Sequence, residues 1–323
     1  MRKALVFMVL ALFSFGVGAE ETESERSFSL SVTTDFAYYP KSMFKAGAAH
    51  FSPITNIYRT VAAQSLIQAD WHLPVWNAKN PLFKSNNIAF EAGLGITPCS
   101  IYPQVKAIFT PIAFMNMYAG LKMGSGWNFG TVHGLARWDE SGKGSYETLD
   151  PFSALYLYGS IGMTWMFDTA AVWEGDWHHI VMLLNFELAY ECLLGTDATI
   201  WEWETKKGLA NGFISKQYFV FGYQMPLVVS MVAWQITLSG HLNGTDYGAW
   251  TKNYNGDYTL IDMGPAIQFS FGKRDQVFLA VNIRARRSFA EPHDSYGEEP
   301  KLTYTGREWI FDYAAIRWKH IFK

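Results

Sequence analysis

The chain has 323 residues, a formal charge of −3, and nearly equal shares of aromatic and charged side chains, 17% of each. Soluble domains carry nearer ~25% charged residues, so the balance points away from an ordinary soluble domain. Mild acidity also excludes the long-range attraction that nucleic-acid binders need, and Cys99 and Cys192, the only cysteines, exclude a disulfide scaffold.

In chain order, Arg2 and Lys3 precede the uncharged apolar stretch 4–15, and Val17-Gly18-Ala19 stands before Glu20. This is the pattern of a cleavable secretory signal peptide over residues 1–19, leaving one domain over 20–323. The apolar stretch is shorter than the ~20 residues of a spanning helix, and no Cys follows the cleavage site to carry a lipid. Loss of Arg2 and Lys3 takes the formal charge from −3 to −5.

Alternation begins at Ser27. Phe28, Leu30, Val32, Phe36 and Tyr38 fall on one side, and Ser29, Ser31, Thr33 and Asp35 on the other. A period of two marks a strand, since a helix repeats every 3.6 residues. The pattern returns with Ile88, Phe90, Leu94 and Ile96 against Glu91 and Thr97, and with Leu184, Phe186 and Leu188 against Asn185 and Glu187. Late in the chain, Leu279, Val281 and Ile283 oppose Asn282, Arg284 and Arg286.

These runs predict strands over 27–39, 60–75, 87–97, 103–110, 113–123 and 153–167, then 179–194, 213–225, 228–242, 258–271, 276–288 and 307–322. Each approaches the ~9–11 residues that a tilted strand needs to cross a bilayer. The expected fold is all-β: a transmembrane antiparallel up-and-down barrel of about 12 strands, within a range of 10–14. Short periplasmic turns are expected at 76–86, 111–112, 168–178, 226–227 and 272–275, and mostly long extracellular loops at 40–59, 98–102, 124–152, 195–212, 243–257 and 289–306. Residues 218–244 lack Lys, Arg, Asp and Glu, which would suit a membrane helix, but Pro226 and the alternation around Gln235 and Thr237 divide them into two strands. Aromatic residues gather near strand ends (Tyr38, Tyr39, Trp71, Trp76, Trp165, Trp173, Trp177, Trp201, Trp203, Trp309 and Trp318), where membrane–water interfaces favour them.

The inward positions are expected to carry Asp35, Gln64, Gln68, Asp70, His72, Glu91 and Lys106, then Glu187 and Glu191, then Asn282, Arg284, Arg286, Arg317 and Lys319. Acidic groups dominate the first two-thirds and basic groups the last third. Closure of the barrel brings Arg317 and Lys319 beside Asp35.

At the C-terminus Ala314, Ile316, Trp318, His320 and Phe322 alternate, and this segment resembles the signal read by the barrel-assembly machinery, with Ile316, Trp318 and Phe322 as its apolar members. His320 stands where that signal usually has an aromatic, and Lys323 follows the final Phe. Asp312 would face lipid unless a bulge shifts the register near residue 314. The stretch ITPCSIYPQVKAIFTPIAFMNMYAGLKMGSGW resembles segments of uncharacterised, porin-like outer-membrane β-barrel proteins of diderm bacteria. The resemblance implies that fold and an outer-membrane location, and no particular activity.

Three functions suit such a barrel. Opposed acidic and basic walls in a wet lumen would make a small-solute channel, which is the preferred expectation. The same charges could instead pair and fill the lumen, giving a structural or surface-interaction barrel; about twelve strands lie between the filled and the open cases. An outer-membrane lipid hydrolase is third. His50-Phe51-Ser52 has the spacing of an outer-membrane phospholipase, but Pro53-Ile54 replaces the Asn-Gly that such an enzyme carries, so no catalysis is expected. An autotransporter unit would need a passenger ahead of the barrel, and none is expected. His178 and His179 lie near Glu174 and Asp176, but adjacent residues on an extended chain point apart, so a polar turn is expected and not a metal site. No cofactor or nucleic-acid partner is expected. The expected partners are outer-membrane lipids, the assembly machinery and periplasmic chaperones during biogenesis, and small polar solutes.

Overall fold

A computed structural model describes residues 27–43, 45–75, 83, 86–130, 132–139, 145–173, 175–204, 206–291 and 300–322. The expected signal peptide, Trp76 and Glu174 lie outside them.

The alternating runs form strands. In chain order these are β1 (Ser27–Ser42), β2 (His50–Ser52), β3 (Ile54–Pro74), β4 (Asn87–Thr97), β5 (Ser100–Ile112), β6 (Met115–Gly126), β7 (Leu135–Trp138), β8 (Tyr146–Thr148) and β9 (Leu155–Asp168). They continue as β10 (His179–Leu194), β11 (Ile200–Trp203), β12 (Lys206–Ala210), β13 (Gly212–Gln224), β14 (Val229–His241), β15 (Leu260–Phe271), β16 (Asp275–Phe289) and β17 (Tyr304–Ile321). Twelve of these close a barrel in the order β1-β3-β4-β5-β6-β9-β10-β13-β14-β15-β16-β17, with β17 returning to β1. Every neighbouring pair is antiparallel, and the closing seam runs from Ser31↔Ile321 to Tyr38↔Ala314. Closure removes the two free edges that an open sheet would expose.

The twelve barrel strands coincide with the twelve expected from alternation. The largest displacement is at β3, which begins at Ile54 and extends the β1–β3 hairpin beyond the barrel wall. There β2 runs parallel to β17, pairing His50 with Glu308 and Ser52 with Ile310.

The outer face is apolar. Phe36 is 55% exposed beside fully buried Asp35, and Ile67, Leu94, Val105, Ile161, Phe221, Trp234 and Ile316 repeat this exposure around the wall. An apolar belt encircling the molecule suits lipid rather than water. No helix among the described residues is long and apolar enough to cross a membrane; here the strands are the crossing elements.

A bulge interrupts β17. Asn282 pairs with Tyr313 while the next residue, Ile283, pairs with Phe311, so Asp312 is the extra residue. Before it Glu308 and Ile310 are buried, and after it Tyr313, Ala315 and Arg317 are. The bulge switches the inward parity from even to odd, and Asp312 is carried into the interior instead of facing lipid.

The structure adds to one expectation and corrects another. The extracellular loops expected at 124–152 and 195–212 carry strands of their own: β7, β8, β11 and β12 form a separate four-stranded sheet in the order β12-β11-β7-β8. Trp201, Trp203 and Tyr39 are not interfacial but fully buried. The two tryptophans belong to this sheet, and Tyr39 packs on Tyr313 with ring centroids 5.7 Å apart. Trp71, Trp173, Trp177 and Trp318 remain exposed, as interfacial rings would be.

Candidate functional site: the lumen and its lid

The seam side of the lumen is built from ion pairs. Arg317 reaches Asp35 twice, Nε to Oδ1 at 2.5 Å and Nη2 to Oδ2 at 2.9 Å, and Gln64 donates to Asp35 at 3.4 Å. One strand away, Arg284 donates from Nε to Asp262 at 2.6 Å and lies 3.1 Å from Asp312 through Nη1. Asn282 adds a 2.7 Å bond to Asp262. Arg286 donates to Glu308 Oε2 at 2.5 Å.

This arrangement changes the expected charge pattern. The wall formed by β15 to β17 is not uniformly basic, because Asp262, Glu308 and Asp312 stand within it and face its arginines. None of these three was among the expected lumen residues. Asp262 shares the inward parity of Leu260 and Ala266, which is the signal that could have located it.

The opposite wall holds its acids with tyrosines. Glu187 accepts from Tyr118 at 3.0 Å and from Tyr158, while Lys216 donates to Tyr158 at 2.5 Å and lies 3.9 Å from Glu187. Tyr156 donates to Glu191 at 2.7 Å. Both glutamates are buried, and so is Lys216, which the expected set also lacked.

The short-turn half of the lumen is less tightly buried. Register aligns Asp70, Glu91 and Lys106 in one row across β3, β4 and β5. Asp70 is buried and accepts from Gln68 at 2.7 Å, whereas Gln68, Glu91, Lys106 and Lys319 are half-buried. His72 keeps the inward parity of Gln64, Gln68 and Asp70 but is exposed. Lys106 sits 4.1 Å above the Tyr118 ring.

The four-stranded sheet acts as a lid at the long-loop end, its β11–β12 hairpin dipping between the walls. Trp203 stacks on Tyr156 with centroids 4.8 Å apart and planes 5° from parallel. Only glycine fits opposite it: a Cβ on Gly124 would lie 2.8 Å from the indole. Ser100 donates to Glu204 at the hairpin tip, Trp201 Nε1 donates to Asn211 at 2.9 Å, and Tyr247 donates to the Gly208 carbonyl at 3.0 Å. Residues Ile200, Trp201, Glu202 and Trp203 are each 1% exposed or less.

The hydrolase arrangement is not formed. Ser52 and His50 both bond Glu308, the histidine through Nε2 at 3.2 Å, so the imidazole does not stand between Ser and carboxylate. Ser52 is also completely buried, out of reach of a lipid. His179 bonds Asp168 at 2.8 Å, and no cluster of three metal-ligating side chains occurs among the described residues. Cys99 and Cys192 are free thiols, both buried; Cys192 shares the outward parity of exposed Phe186, Leu188, Tyr190 and Leu194 on β10.

No family model and no curated protein matches the chain. Among solved structures, the translocator domain of autotransporter NalP from Neisseria meningitidis is 9% identical with a TM-score of 0.42, over 99% of this chain and 95% of that one. The β domain of the Bordetella autotransporter BrkA is 9% identical at a TM-score of 0.43, over 92% and 100%. The outer-membrane channel DcaP of Acinetobacter baumannii is 8% identical at 0.34, over 92% and 97%. Such identities concern fold alone. By its even strand count, closed antiparallel order and apolar outer belt, this chain is a transmembrane β-barrel of the bacterial outer-membrane type.

Proposed function

We propose that the protein is an outer-membrane barrel with a filled lumen, acting as a structural or surface-interaction protein and not as an open pore. The supporting observation is the burial of the lumen's own charges. Asp35, Arg284, Arg286, Glu308, Asp312 and Arg317 are each 2% exposed or less, and all are engaged in ion pairs with one another or with Asp262. A conducting wall keeps such groups hydrated, because an ion passes only where water or an equivalent ligand replaces its shell. The inward lid adds a second obstruction. In this reading the outer belt contacts membrane lipids, and Ile316, Trp318 and Phe322, all outward-facing, form the signal for the assembly machinery after periplasmic chaperones deliver the chain.

Planar-bilayer recording of the refolded, full-length mature chain tests the proposal. The expected result is an absence of discrete conductance steps across a range of salt and voltage. Regular steps from the unmodified chain would overturn it. They would instead favour the small-solute channel, a second reading supported by the half-buried row Gln68, Glu91, Lys106 and Lys319 at the short-turn end.

A further inference from the structure

We propose that residues 47–53 form a pH-sensitive strap over the long-loop end of β16 and β17, seated by protonated His50 and released when its imidazole loses that proton. The proposal holds whether or not the barrel conducts.

The strap lies across the two strands as an extended segment. Its β2 portion pairs in parallel with β17 over three residues, from His50↔Glu308 to Ser52↔Ile310. Ahead of it, Gly47 donates its N–H to the Phe289 carbonyl at 2.9 Å, and its own carbonyl accepts from Ser288 and Thr305 at 2.5 and 2.7 Å. Gly306 lets the strap approach closely, since a Cβ there would lie 3.2 Å from the Ala49 nitrogen. The seat gains little from apolar burial, because Phe51 is 58% exposed. Segments with few buried apolar contacts open first, so polar ties decide how firmly this one is held.

His50 makes the tie whose strength depends on pH. Its Nδ1 stands 2.6 Å from the Ala48 carbonyl oxygen, and its Nε2 stands 3.2 Å from Glu308 Oε1. Both partners are acceptors. Glu308 takes Arg286 on Oε2 at 2.5 Å and Ser52 on Oε1, so it presents a carboxylate with no proton to give. The imidazolium carries an N–H on each nitrogen and satisfies both oxygens at once, whereas the neutral ring carries a single N–H. A neutral His50 therefore turns a lone pair toward one of the two oxygens, and one contact is lost.

Histidine changes charge between about pH 5 and 8. The seated form binds the proton, so seating is full at the acid end of that range and is lost as pH rises through it. Among the described residues, the charged group bonded to the ring is Glu308 on β17, and Arg286 on β16 stands behind it. Arg307 donates to Tyr258 and Arg287 to the Asn255 carbonyl, while Lys41, Lys45 and Glu291 are exposed. Release frees Ser52 as well as His50 from Glu308, leaving that carboxylate to Arg286 and to water.

Electron paramagnetic resonance of a nitroxide at position 51 tests this, in the full-length mature chain refolded in detergent micelles and carrying Cys99→Ala and Cys192→Ala. Phe51→Cys suits the label, because Phe51 is exposed between His50 and buried Ser52. The spectrum is expected to be mostly immobile at about pH 5, with the ratio of immobile to mobile components falling about tenfold by about pH 8, as the loss of one charge-assisted bond implies. His50→Gln is expected to abolish this pH dependence. An unchanged ratio across the range, or a fall that persists in His50→Gln, would overturn the proposal. Heat-modifiable gel migration reports whether each variant has folded. Should His50→Gln not fold, His50→Lys carries a fixed charge and is expected to hold the ratio constant; a fall with pH in that variant overturns the proposal.

Discussion

Arg317 grips Asp35 across the seam where the last strand meets the first, joining residues 282 positions apart with bonds of 2.5 and 2.9 Å. The two-point geometry fixes the register of closure as well as the charge, since a slip of one residue would turn one partner toward lipid. Removing one member of a buried pair leaves the other uncompensated and costs about 3–5 kcal/mol. Arg317→Met is therefore expected to lower stability by that order in urea unfolding from lipid vesicles, followed by Trp fluorescence. The double variant Arg317→Met with Asp35→Leu is expected to regain most of the loss. A single variant as stable as wild type would show that the pair does not hold the seam.

The bulge at Asp312 makes a sharper prediction about register. Deleting Asp312 removes the extra residue, and Tyr313 then takes its inward place while Ala315 and Arg317 keep theirs. The deletion is expected to fold into a heat-modifiable barrel, destabilised chiefly by loss of the 3.1 Å contact with Arg284. By contrast Arg284→Met leaves Asp262 and Asp312 together without their shared cation, and is expected to be the more damaging change. Equal urea midpoints for the two variants would contradict this order.

Much of this architecture is legible in the sequence, and the rest fails for a physical reason. Period two locates all twelve wall strands, and an even count brings Arg317 to Asp35. The need for a bulge follows from Asp312 standing on the wrong parity. Partnerships inside the wall are harder, because they depend on inter-strand register: Asp262 faces Arg284 only once β15 and β16 are aligned. The lid is hardest. The segments around Trp138 and Trp203 are polar and Gly-rich, and become strands through long-range packing on Tyr156 and Gly124 that no local periodicity records.

His50, Ser52 and Glu308 form a tie, not a catalytic triad, and the difference is measurable. Ser52→Ala is expected to leave lipid hydrolysis at the background level of the wild type. It removes a donor to buried Glu308, which retains Arg286 at 2.5 Å. A stability loss of about 1–3 kcal/mol is expected, the penalty of an acceptor partly unsatisfied in the interior. Hydrolysis present in the wild type and lost in this variant would instead make Ser52 a nucleophile.

Gly124 sets how deeply the lid can sit. A Cβ there would approach the Trp203 indole to 2.8 and 2.9 Å, and Trp203 is itself pinned against Tyr156. The ring can yield only by tilting off Tyr156 or by lifting the hairpin, since its own backbone is tied by the Trp203↔Lys206 pairing. Gly124→Leu is thus expected to displace the hairpin at a cost of about 1–3 kcal/mol, typical of overpacking. Increased quenching of Trp fluorescence by iodide added outside the vesicles would report the displaced indole. The barrel wall should remain closed, because Gly124 lies near the rim of β6 and its pairing with Tyr156 uses backbone groups alone. If quenching is unchanged while stability falls, the leucine has been absorbed by the wall, and Gly124 does not control the seating of the lid.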